Sequence, residues 1–202
     1  MKTSKITVNS NGYGMEKALD EVEYFSRGMG FDERSARRAR LLAEETMSMV
    51  RAIVDDFVAE FWMESTQKCS CELHLVAEAP LNYEKKQELI DVSTEKRNEA
   101  SVGIMGKIKD FIEDSIYNVQ DGASLPMSDC HFVSMGGVAM AADAYTWTLE
   151  KYRQDMENGS TEDDDMEKAL DELEKSIVAN IADDIRVSVS GPRIEMIIRK
   201  NF

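Results

Sequence analysis

Leu42-Ala43-Glu44-Glu45-Thr46-Met47-Ser48-Met49 is the stretch on which the reading of this chain turns. Around it, Leu41, Leu42, Thr46, Met49, Val50, Ile53 and Val54 recur at helical spacing, and Phe57, Val58 and Phe61 extend the series. That spacing predicts one amphipathic helix over residues 33–63, long enough to be the spine of a domain. Asp32 stands where an N-cap is needed, with Ser35 at the third position after it. Read alone, Glu44-Glu45 is a solvated acidic face, and Met47 and Met49 fill core.

Before the helix, Lys5-Ile6-Thr7-Val8-Asn9-Ser10 alternates as a strand does, and Asn11-Gly12-Tyr13-Gly14 breaks it. Residues 16–27 carry Ala18, Leu19, Val22 and Phe25 at helical spacing, and Gly28-Met29-Gly30 ends that helix. After the spine, residues 69–78 alternate again and residues 86–94 are a second strand candidate, which together predict an antiparallel hairpin. Ser101 caps a predicted helix carrying Ile104, Met105, Ile108, Phe111 and Ile112. Residues 120–135 read as loop. Residues 137–156 read as a helix with Tyr145, Trp147 and Tyr152. These positions suit a homodimer interface or packing on the chain's own sheet. An acidic linker near residues 157–165 precedes a helix reaching about Ala182. Residues 185–190 and 193–199, joined by Gly191-Pro192, form the clearest hairpin. The expectation is a single domain over residues 1–202: an α+β, two-layer α/β sandwich with a mixed or antiparallel sheet and helices on one face.

The chain has 202 residues and a net charge of -15 at pH 7, a field that repels a phosphate backbone, so nucleic acid is not an expected partner. Arg34-Ser35-Ala36-Arg37-Arg38-Ala39-Arg40 is an isolated basic cluster on one helix face. No apolar run reaches the length of a bilayer span and no apolar segment opens the chain. A cytoplasmic protein without membrane association is expected. Three cysteines make no disulfide framework. Cys69 and Cys71 are two apart, which in a strand puts them on one face. With Cys130-His131 they match no standard zinc spacing, so no metal site is expected there. His74 in an alternating strand faces solvent or a neighbour, and Trp62 and Trp147 read as core or interface anchors.

The predicted order is strand, helix, long helix with a Glu-Glu pair, hairpin, helices, terminal hairpin. It resembles the GHKL ATP-binding fold of histidine-kinase-like ATPases, and in particular the anti-sigma-factor serine kinases, loosely over residues 5–200. In that family the long helix carries a glutamate motif ending in asparagine, and the stretch from Leu42 to Met49 follows it up to its last position. The resemblance implies that Glu45 orients or deprotonates the attacking group. It also implies that the metal-holding asparagine is replaced by Met49. A hard cation needs an oxygen ligand, which Met49 lacks; shifting the register to Ser48 restores only a hydroxyl. For the adenine-reading aspartate the local match is Asp91-Val92-Ser93-Thr94, without the family's glycines. For the glycine-rich phosphate segment there are two matches, Gly103-Ile104-Met105-Gly106 and Gly136-Gly137. Either would aim backbone N–H groups at an anion. The implied ligand is ATP, with Mg²⁺ held weakly or not at all. The implied role is regulation through a protein partner, as for anti-sigma-type relatives. An active ATP-binding serine kinase or ATPase, and a non-enzymatic interaction domain, are the two alternatives.

Overall fold

A single antiparallel sheet is built by the segments whose apolar residues recur at every second position. The computed structural model describes residues 1–54, 56–65, 69–78, 103–120, 146–157, 176–190 and 193–202. Six strands, β1 (Ile6–Asn9), β2 (Val58–Glu64), β3 (Ser70–Glu78), β4 (Thr146–Thr148), β5 (Asp184–Ser190) and β6 (Arg193–Asn201), lie in the order β1-β2-β3-β6-β5-β4. Among the described residues, five helices accompany them: α1 (Met15–Gly28), α2 (Glu33–Ile53), α3 (Gly103–Gln120), α4 (Leu149–Glu157) and α5 (Ile177–Ile181).

The register puts Ile6, Phe61, Leu75, Met196, Val187 and Trp147 opposite one another in a row across all six strands. This row lies on the sheet's apolar face, where Phe61, Leu75, Met196 and Val187 are almost wholly buried. The buried side chains of all five helices join the same cluster. The helices therefore cover one face of the sheet, and the domain is α+β with an antiparallel sheet. The terminal hairpin is present, running from Asp184 to Asn201. Among the described residues, no helix is long and apolar enough to cross a membrane.

The expected spine is two elements. α2 stops at Ile53, and Val54 is already extended, with φ -121° and ψ 114°. Phe57 is buried before β2, in which Ala59, Phe61 and Met63 point into the core while Val58 and Glu60 are exposed. Phe57 and Phe61 are four apart, so they satisfy helical spacing as well as an alternating one. The β-sheet partners Ile6 and Leu75 decide between the two. The expected hairpin of residues 69–78 with 86–94 also gives way. Both edges of β3 are occupied, by β2 and β6, and residues 86–94 lie outside the described part.

Trp147 is not in a helix. Thr146-Trp147-Thr148 is β4, as its β-branched and aromatic residues favour, and pairs with β5. Thr148 then starts α4: its Oγ1 accepts a hydrogen bond from the Lys151 amide at 3.2 Å. The helix expected to reach Ala182 is described only as α5, which Ser176 caps by accepting from the Ala179 amide at 3.2 Å. The acidic linker and Ser101 lie outside the described residues. Cys69 does not share a strand face with Cys71. It precedes β3 with φ 61°, and its carbonyl accepts from the Phe202 amide at 2.6 Å.

Candidate functional site

The candidate site starts with α2, because the glutamate pair lies there. Asp32 caps the helix by accepting from the Ser35 amide at 2.7 Å, and this bond holds its carboxyl below the usual carboxylate range. Arg40 fixes α2 against α1: its guanidinium donates to Asp20 at 2.7 Å and Glu16 at 2.8 Å and lies 3.5 Å from Glu23. Ala39, Leu42, Ala43, Thr46, Met47, Met49 and Val50 form the buried face. The Thr46 hydroxyl is spent inside the helix, donating to the Leu42 carbonyl at 2.6 Å.

That face fixes the sequence-expected site residues. Glu44 is exposed and Glu45 half-buried at the margin of the core, while Ser48 faces solvent. Met49, one turn beyond Glu45, is 5% exposed and belongs to the core cluster. Gly103 opens α3, and Gly106 is buried in its first turn. α2 and α3 touch, so Glu45, Met49, Gly103 and Gly106 lie on neighbouring helices. Asp91, Thr94, Gly136 and Gly137 lie outside the described residues. Chemically, this arrangement offers a carboxylate at Glu45 and a thioether at Met49. A carboxylate can accept a proton or a hydrogen bond; a thioether is a poor ligand for Mg²⁺.

Two cavities lie elsewhere. A groove of about 490 Å³ runs between β1 and the turn entering α1, lined by Thr7, Gly12, Tyr13, Gly14 and Lys17 among others. Gly14 has φ 74°, and a Cβ there would lie 2.0 Å from the Thr7 carbonyl oxygen, so only glycine fits this close approach. The second cavity, about 70 Å³, is on the sheet face away from the helices. Glu72, Asp184, Arg186, Ile197 and Arg199 line it.

That far face carries polar structure of which the sequence reading had singled out only His74, expected to face solvent or a neighbour, and Trp62, expected as a core or interface anchor. The His74 ring stacks on Trp62 at 4.9 Å and 3°. The Trp62 indole N–H donates to Glu64 at 2.8 Å. Lys2 and Lys5 lie over the Trp62 ring at 4.8 and 4.6 Å. Burial pushes the His74 imidazole below its usual value, against the pull of Glu64, Glu72 and Glu195. The Lys2 ammonium, then the Trp62 N–H, hold the Glu64 carboxyl down. The signal for this face was the second half of the alternation: the outward positions of β2, β3, β5 and β6 collect Trp62, Glu64, Glu72, His74, Asp184, Arg186 and Arg199. Cys71 points the other way, and burial, helped by nearby Asp183 and Glu72, pushes its thiol up to about 12, so it is a protonated core residue at neutral pH. No His, Cys, Asp and Glu group suited to a metal ion occurs among the described residues.

No family model, curated protein or solved structure matches this chain.

Proposed function

We infer that this protein is a degenerate GHKL-like ATP-binding protein that regulates a protein partner in the cytoplasm, with weak or absent Mg-ATP catalysis. The observation that carries the reading is the place of Met49. At the position where the resembled motif has its metal-holding asparagine, the side chain is apolar and turned into the core. Phosphoryl transfer depends on metal ions that bridge the phosphates and neutralise developing charge, and a buried thioether does not hold them. The order of elements supports the same reading in outline: strand, two helices, two strands, a helix, the three-residue β4, two short helices and a terminal hairpin. Glu45 remains at the margin of the core, where it can meet a nucleotide or a partner side chain.

The test is a thermal-shift titration with ATP, with and without Mg²⁺. A ligand that binds the folded state alone raises the midpoint according to its concentration relative to Kd. The expected result is a small shift that Mg²⁺ does not enlarge. A large Mg-dependent shift overturns the reading in favour of an active kinase or ATPase. No shift with any nucleotide favours a non-enzymatic interaction domain, whose likeness to the family is one of topology.

A further inference from the structure

The cavity on the far face of the sheet is built from matched opposite charges. Register places Arg199 between Glu72 on β3 and Asp184 on β5, and places Arg186 beside Ile197 in the next row. Asp184 Oδ2 accepts from Arg186 Nε at 3.0 Å and from Arg199 Nη2 at 3.2 Å. The Asp184 side chain is only 9% exposed. Its other oxygen, Oδ1, is buried and has no hydrogen-bond partner among the described residues. A buried carboxylate oxygen is costly to leave unpaired, so this atom calls for a donor. The two guanidiniums carry five N–H groups each and call for acceptors.

We propose that this cavity is a binding site for a small zwitterion, an ammonium and a carboxylate on one carbon, as in a free α-amino acid. The ammonium donates to Asp184 Oδ1 and faces Glu72. The carboxylate accepts from Arg186 and Arg199. The charge pattern selects this class: a lone anion meets two carboxylates, and a lone cation meets two guanidiniums. The cavity is small: 70 Å³ is the share of about two waters at roughly 30 Å³ each, which suits the charged end of a small ligand seated in its partly open mouth. A larger amino acid would leave its side chain directed out of the partly open mouth. This site is separate from Glu45 and Met49, and the proposal does not rest on the nucleotide reading.

The test is calorimetric and thermal-shift titration of the full chain with glycine, and separately with acetate and with methylammonium. Glycine is expected to bind, and either half-ligand to bind at least about tenfold more weakly, since each forfeits one set of charge-assisted bonds. Arg186→Gln should weaken glycine by about tenfold or more. Its side chain is 52% exposed, so the fold should survive, and circular dichroism checks this. Asp184→Asn should weaken glycine as well; should that variant fail to fold, Arg186→Gln still decides. The proposal is overturned by no glycine binding, by acetate or methylammonium binding as tightly as glycine, or by glycine binding unchanged in Arg186→Gln.

Discussion

Met49 is the side chain on which the proposed function rests, and its burial can be tested directly. Asparagine there would bury an amide at a position that is 5% exposed among apolar neighbours. Met49→Asn is expected to cost about 3 kcal/mol in urea unfolding, from lost apolar burial and an unsatisfied amide, while Met49→Leu costs less than about 1.5 kcal/mol. Equal costs for the two would mean that the side chain is not in the core. Gly14 makes a second test at this scale. Gly14→Ala forces a Cβ to 2.0 Å from the Thr7 carbonyl oxygen, whereas a Cβ at Gly12 meets nothing within 4 Å. Both have positive φ, so Gly12→Ala should cost about 1 kcal/mol and Gly14→Ala about 3 kcal/mol or more. The glycines were visible in the sequence as a break. Which of them could not be replaced was not, because the clash is with another element. His74 adds a pH dependence. Its folded value lies below its ordinary one, chiefly through burial, so between the two the unfolded chain binds a proton that the folded chain does not. Stability should therefore be full above the ordinary histidine range. It should fall as pH drops through the unfolded value of about 6.5 and level off below the folded value. His74→Phe should flatten that part of the urea-midpoint profile between pH 8 and the carboxylate range. A profile unchanged by the substitution would sink the assignment to His74.

At the scale of elements, legibility depended on whether a segment's partners were needed to interpret it. The terminal strands alternate cleanly, pair with each other and were readable from sequence. β1, α1 and the start of α2 were readable for the same reason: each declares its period and its caps locally. The boundary between α2 and β2 was not. Val54, Phe57, Val58 and Phe61 satisfy a helical stripe, and β2 is selected by hydrogen bonding to β3, which follows it, and to β1, which is distant in sequence. The same holds for Trp147, whose three-residue strand exists through β5. As for the candidate site, Glu45 and Met49 were legible as neighbours on one helix. The far-face charges were not, since Glu72, Asp184 and Arg199 meet only when β3, β6 and β5 pair. The two readings of residues 57–64 differ in a measurable way. On a helix, Val58 and Phe61 share the buried stripe; on β2, Phe61 is 1% exposed and Val58 56%. Phe61→Ala should cost about 4 kcal/mol, and Val58→Thr should stay within about 0.5 kcal/mol, read as shifts in the urea midpoint at constant slope. A large loss at Val58 would count against the strand.

Over the whole molecule, the charge balance competes with local ion pairing. The chain carries 39 acidic and 24 basic residues, so a folded state of this charge repels itself. Against that stand clusters such as Arg40 with Glu16, Asp20 and Glu23, and Arg27 with Glu23 and Glu33. Most of the carboxylates in these clusters are well exposed, and exposed pairs contribute little, about 0–1 kcal/mol each. Salt screens both effects, but not equally. The pairs are shorter than 4 Å, well inside the Debye length of about 8 Å at about 0.15 M ionic strength, whereas self-repulsion acts over the whole domain. Screening should therefore remove more repulsion than attraction. The thermal midpoint is expected to rise as sodium chloride goes from about 0.02 M to about 0.3 M, with most of the rise complete where the Debye length has fallen to about 10 Å. Arg40→Gln should steepen this rise, because it removes a cation that offsets three carboxylates on α1. A midpoint that falls with salt would show that the helix-pinning ion pairs outweigh the net charge.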